Sequence, residues 1–126
     1  MIREPLPGTS AAEIKAFYAD KNTCQDLADA FAIVHNKCVW VNDNVYDYEV
    51  SSPEYAIACA IADEWSDLQN QYRDKIFEIL KMEGIIIPEA GYVKTIEPYM
   101  ARYGYINGNG WWIKEQQSDC VILDSE

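Results

Sequence analysis

The chain of 126 residues carries 21 Asp and Glu against 10 Lys and Arg, a net charge of −11. That length suits one domain, 1–126, with a core that needs no disulfide or structural metal, and 49% apolar residues argue against global disorder. The charge argues against binding DNA or RNA through phosphates and against an anionic membrane surface, because both need lysine and arginine; it fits a basic protein partner or simple solubility.

Met1 to Ser10 lacks the basic start and apolar run of a secretory signal, and no run of about 18 apolar residues is present to span a bilayer. Cys24, Cys38, Cys59 and Cys120 are scattered without paired spacing, the pattern of a reduced, cytoplasmic protein.

In chain order, residues 1–9 hold Pro5, Pro7 and Gly8 and read as an extended arm. Ser10 and Glu13 have the spacing of a capping box, which predicts a helix from Ala11 to about Asp20 with Ile14, Phe17 and Tyr18 on its apolar face. Thr23 caps a second helix, Cys24 to about Asn36, that buries Leu27, Phe31 and Val34. Val39-Trp40-Val41, the turn formers Asn42-Asp43-Asn44 and the alternating Val45 to Val50 then predict a small β-hairpin. Irregular chain carrying aromatic anchors is the competing reading.

The longest element is a helix from Ser52 to Glu83, the axis of the predicted fold. Ser52 is a cap, Pro53 suits the first helical position, Glu54 favours the positive end of the dipole, and Gly84 supplies the stop. About 30 residues at about 1.5 Å each make it roughly 45 Å long. Its first half, Tyr55 to Ala62, is nearly all small or apolar and predicts burial on every side. Its second half is amphipathic. Ile61, Trp65, Leu68, Tyr72, Ile76 and Ile79 form the apolar stripe, and Asp63, Asp67, Asp74 and Glu78 a separate acidic arc.

Ile85-Ile86-Ile87 is a short apolar run closed by Pro88. Thr95 is placed to cap a short helix, Ile96 to Tyr103, with Pro98 in its first turn and Gly104 at its end. Tyr105-Ile106, the loop Asn107 to Gly110 and Trp111-Trp112-Ile113 make a second hairpin. Residues 115–126 form an acidic tail in which Cys120 to Leu123 offers one more strand. The expected fold is therefore α-rich α+β: a long central helix packed by two N-terminal helices and a short late helix, with one or two small β-hairpins.

No catalytic motif is present. His35 and Cys38 do not complete a zinc signature, and Asn42 to Glu49 lacks the glycine and terminal glutamate of a calcium loop. A cysteine nucleophile would need His35 as its base, and nothing in the spacing joins them. The Gly108–Gly110 loop lacks the Lys and Ser or Thr of a phosphate cradle. No cofactor or metal is expected.

The charge map says more. Between Cys38 and Tyr72 there is no Lys or Arg, while Asp43, Asp47, Glu49, Glu54, Asp63, Glu64 and Asp67 all fall there. Such a field steers association with a basic surface, although a merely solvated face would have the same composition. The candidate partner-binding residues are Asp43, Asp47, Glu49, Asp63, Glu64, Asp67, Asp74 and Glu78, with Trp111 and Trp112. On a strand, neighbouring tryptophans point to opposite faces, so one is expected in the core and the other at least partly outside it.

The expected function is a non-catalytic acidic interaction protein that binds and inhibits a basic, nucleic-acid-handling protein, such as a phage or mobile-element inhibitor of a host defence nuclease. The alternatives are an immunity or antitoxin protein for a basic toxin, and a scaffold that assembles with itself as a homodimer.

Overall fold

The structure is a computed structural model and describes residues 8–89, 91, 93–108 and 110–114. Most of the arm, the tail and the strand expected at Cys120 to Leu123 lie outside the described residues. The elements are α1 (Ala11–Tyr18), α2 (Cys24–Val45), α3 (Pro53–Met82), α4 (Val93–Arg102), β1 (Tyr105–Gly108) and β2 (Trp111–Lys114). The fold is α-rich α+β, with the long α3 packed on α2 and one antiparallel hairpin among the described residues.

Local chemistry sets most of these boundaries. Ser10 and Glu13 close the capping box of α1 in both directions. Thr23 and Asp26 do the same for α2, and the Ser52 hydroxyl accepts from the Tyr55 amide at the start of α3. Gly84 ends α3 at φ +86°: its amide donates to the Lys81 carbonyl and the Ile85 amide to the Leu80 carbonyl, closing the last turn.

Four expectations are corrected. The β-hairpin at Cys38 to Val50 does not form, because α2 continues to Val45. Phe31, Val34, Cys38 and Val45 are buried on one side of that helix, and burial against α3 outweighs the strand preference of Val39-Trp40-Val41. The supposed turn formers Asn42 and Asn44 donate side-chain hydrogen bonds to the Cys38 and Trp40 carbonyls, four residues back. The late helix begins at Val93, so Thr95 is no cap and Pro98 stands inside the helix, removing the donor that the Lys94 carbonyl would meet. Burial of Ile96, Tyr99 and Met100 outweighs that loss. The remaining hairpin is longer than expected: Asn107 and Gly108, expected in the loop, pair with Trp112 and Trp111.

The fourth correction concerns the first half of α3, which is not buried all round. Ala62 is buried there, but Ile57 is 61% exposed and Ile61, Ala56 and Ala60 are exposed. The core stripe starts one turn later and runs Trp65, Leu68, Tyr72, Ile76 and Leu80, with Leu80 in the place expected for Ile79.

The core lies between α2 and α3, closed by Ala11 and Ile14 of α1, by Ile96, Tyr99 and Met100 of α4, and by Tyr105 and Trp112 of the hairpin. Arg102 ties α4 to the end of α3 through a two-pronged bond to Glu83, 2.7 and 2.9 Å. Asp29 on α2 accepts from the Tyr105 hydroxyl at 2.7 Å and the Lys114 ammonium at 3.3 Å. Asn36, also on α2, acts as a third strand to β2. Its amide accepts from the Trp112 backbone N–H at 2.8 Å and donates to the Trp112 carbonyl at 3.0 Å. Replacing Asn36 with Leu removes both bonds and strands two backbone groups. The expected loss is about 2–3 kcal/mol of unfolding free energy, read from urea titrations.

Candidate interaction surface

Every acidic candidate is exposed, but they fall into two groups. Asp74 is held by Arg73 at 3.1 Å and Glu78 by Lys81 at 3.6 Å, on the second half of α3. The other six have no ion-pair partner among the described residues. Asp43 lies in the last turn of α2, Asp47 and Glu49 in the connection to α3, and Asp63, Glu64 and Asp67 on the third and fourth turns of α3. The two helices are joined by residues 46–52 and pack with Lys37 beside Trp65, so Asp43, Asp47 and Glu49 lie near the turn from α2 into α3, and Asp63, Glu64 and Asp67 begin about 15 Å along α3 from it. Asp47 and Glu64 line one groove.

Asp43 is placed against its own helix. The C-terminal end of a helix carries a partial negative charge, and the last turn of α2 contains no basic residue. Asp43→Asn is therefore expected to raise stability by a few tenths of a kcal/mol, seen as a higher urea midpoint at low salt.

The same stretch exposes apolar side chains. Tyr46 is 82% and Val50 78% exposed, and Tyr48, Ile57 and Ile61 are also open to solvent. Between them lies a groove of about 420 Å³, walled by Trp40 and Val41 of α2 and by Ala58, Ile61 and Trp65 of α3, with residues 8–11 at one side. Lys37 is its single cation among the described lining residues. The Lys37 side chain is buried, its ammonium 5.5 Å from the Trp40 ring and 5.6 Å from the Trp65 ring. Sequence reasoning placed Ala58 and Ile61 in a segment buried on every side and Trp40-Val41 in a hairpin strand. The all-round apolar character of that segment hid the fact that α2 and the start of α1 cover only one side.

The paired tryptophans separate. Trp112 is 4% exposed and packs against Phe31 and His35, so it belongs to the core, whereas Trp111 is half-buried and faces outward from the hairpin. Tyr99 and Tyr105 are likewise buried, whereas Tyr46 and Tyr48 are exposed within the acidic stretch.

His35 and Cys38 do not make a reactive pair. Burial pushes the Cys38 thiol up to about 12, against a hydrogen bond from Ser66, so it stays protonated. His35 Nε2 donates to the Gly110 carbonyl at 3.1 Å, since a carbonyl can only accept. No three His, Cys, Asp or Glu side chains converge as metal ligands among the described residues. No helix among them is long and apolar enough to cross a membrane.

Burial lowers the His35 pKa, with the Gly110 bond pulling the other way. The neutral imidazole is thus the form the fold prefers. Below about 6.5 the unfolded chain binds a proton that the folded chain resists, so stability is lost as pH falls. Urea midpoints measured at pH 7.5 and 5.5, above the carboxylate range, are expected to fall for the native chain and to change less for His35→Gln.

Comparison with protein-family models, with curated proteins and with solved structures finds no match to this chain.

Proposed function

We propose that this protein is a non-catalytic acidic interaction protein that occupies the basic, nucleic-acid-binding surface of another protein and inhibits it. The observation that supports the reading is six exposed carboxylates without ion-pair partners, among the described residues, between Asp43 and Asp67, a stretch that holds no Lys or Arg. Carboxylates one helical turn apart lie about 6 Å from each other, comparable to the spacing of phosphates along a strand. Mutual repulsion and the dipole of α2 both oppose this arrangement, so it weakens the fold while strengthening attraction to a cationic surface. A phage or mobile-element inhibitor of a host defence nuclease would use such a surface. An immunity or antitoxin protein for a basic toxin would use it in the same way, and the two differ in partner alone.

The test is capture of partners from source-cell lysate on the tagged chain, at about 50 mM and about 500 mM salt. A basic nucleic-acid enzyme or toxin that is retained at low salt and released at high salt is the expected result. Retention of no basic protein contradicts the reading.

Self-assembly is a second reading, favoured by the exposure of Tyr46, Val50 and Ile57. Light scattering separates the two. A monomer at micromolar concentration removes the scaffold, and a stable dimer whose formation buries Ile57 removes the free acidic surface.

A further inference from the structure

We infer that the groove between α2 and α3 takes an apolar side chain presented by a basic helical segment of the partner. The inference rests on the acidic-surface reading and adds the anchor to it. Three observations converge. The groove, about 420 Å³, is walled by Trp40, Val41, Ile61 and Trp65, enough room for a leucine or phenylalanine side chain. Asp47 and Glu64 line its edges and are exposed. The one basic lining residue described, Lys37, is buried with its ammonium 5.5 and 5.6 Å from the Trp40 and Trp65 rings, so the cation stands in the wall and the exposed charges at the groove's edges are the two carboxylates. An apolar knob flanked by lysine or arginine satisfies both features at once: the knob removes the groove walls from water, and the flanking cations meet the acidic rim.

A second copy of this chain fits less well. Self-docking through this groove would bring two acidic rims together, in molecules that each carry −11. Gly8 lines the groove and residues 1–7 precede it in the sequence, so that segment is the remaining rival occupant.

Two synthetic 18-residue probes of equal charge test the inference by titration calorimetry on the full chain. One is a helix with lysines on one face and leucines on the other, and the second has alanine in place of each leucine. The leucine probe is expected to bind about tenfold more tightly and to shift the Trp40 and Trp65 indole signals in NMR spectra. Ile61→Asp, at an exposed wall position, is expected to abolish that tenfold preference while leaving the alanine probe's affinity within about twofold. Equal affinity of the two probes, or a preference that survives Ile61→Asp, overturns the groove but leaves the acidic surface standing. Failure of both probes to bind at low salt overturns the acidic surface itself. A preference that appears only after residues 1–7 are removed names the arm as occupant and overturns the partner anchor. A dimer that excludes both probes does the same for a second copy.

Discussion

Changing Asp63, Glu64 and Asp67 together to lysine is expected to weaken partner binding by at least about a hundredfold at physiological salt. The three side chains are exposed and lie within two turns of α3, with no ion-pair partner among the described residues. Their charges are therefore available to a partner, and their reversal converts attraction into repulsion at the centre of the surface. The association rate should fall most steeply, with a flatter dependence on salt, because steering is the long-range part of the interaction. Asp74 and Glu78 supply the contrast. Each already has a cation beside it, Arg73 and Lys81, so alanine at both is expected to change affinity by less than about threefold. Surface plasmon resonance against the captured partner at several salt concentrations measures both variants. A triple reversal that binds like the native chain would remove the acidic surface from the account.

Trp65→Ala is expected to cost about 3–5 kcal/mol, comparable to the whole stability of a small domain. Trp65 is 1% exposed and sits where the core stripe of α3 begins. Its ring lies 5.6 Å from the buried Lys37 ammonium, so truncation both opens a cavity and strips an aromatic face from an enclosed cation. Urea unfolding followed by far-ultraviolet circular dichroism reads the effect as a chain unfolded, or nearly so, without denaturant. A loss below about 1 kcal/mol would mean that the α2–α3 seam is not the centre of the core.

Much of the fold was legible because its boundaries are set locally. Ser10 with Glu13, Thr23 with Asp26, Ser52 before Pro53, and Gly84 after Glu83 each fix a helix end through atoms a few residues apart. The hidden parts depend on contacts across the chain. Val39-Trp40-Val41 prefers a strand in isolation and becomes helical because its neighbours Val34, Cys38 and Val45 are buried on one side of α2. Their four- and seven-residue spacing, with Val41 filling the same stripe, was the available signal, masked by the turn chemistry of Asn42 to Asn44. The Asn36 clamp on Trp112 joins residues 76 apart and leaves no local trace.

Six of the eight acidic candidates were readable as a stretch without Lys or Arg, but not their placement. Only packing brings Asp47 and Glu64 to one groove, and only the side-chain geometry pairs off Asp74 and Glu78. The groove was invisible for a similar reason. Tyr55 to Ala62 has the composition of a buried segment, and its exposure follows from how few elements cover it.

Competition with nucleic acid tests the central claim most directly. The captured partner is loaded with its own fluorescent DNA or RNA, the chain is titrated in, and fluorescence anisotropy is followed at fixed salt. The account predicts stoichiometric displacement of the nucleic acid, with the Asp63, Glu64 and Asp67 reversal unable to displace it. A ternary complex in which the partner holds nucleic acid and this chain together would contradict it.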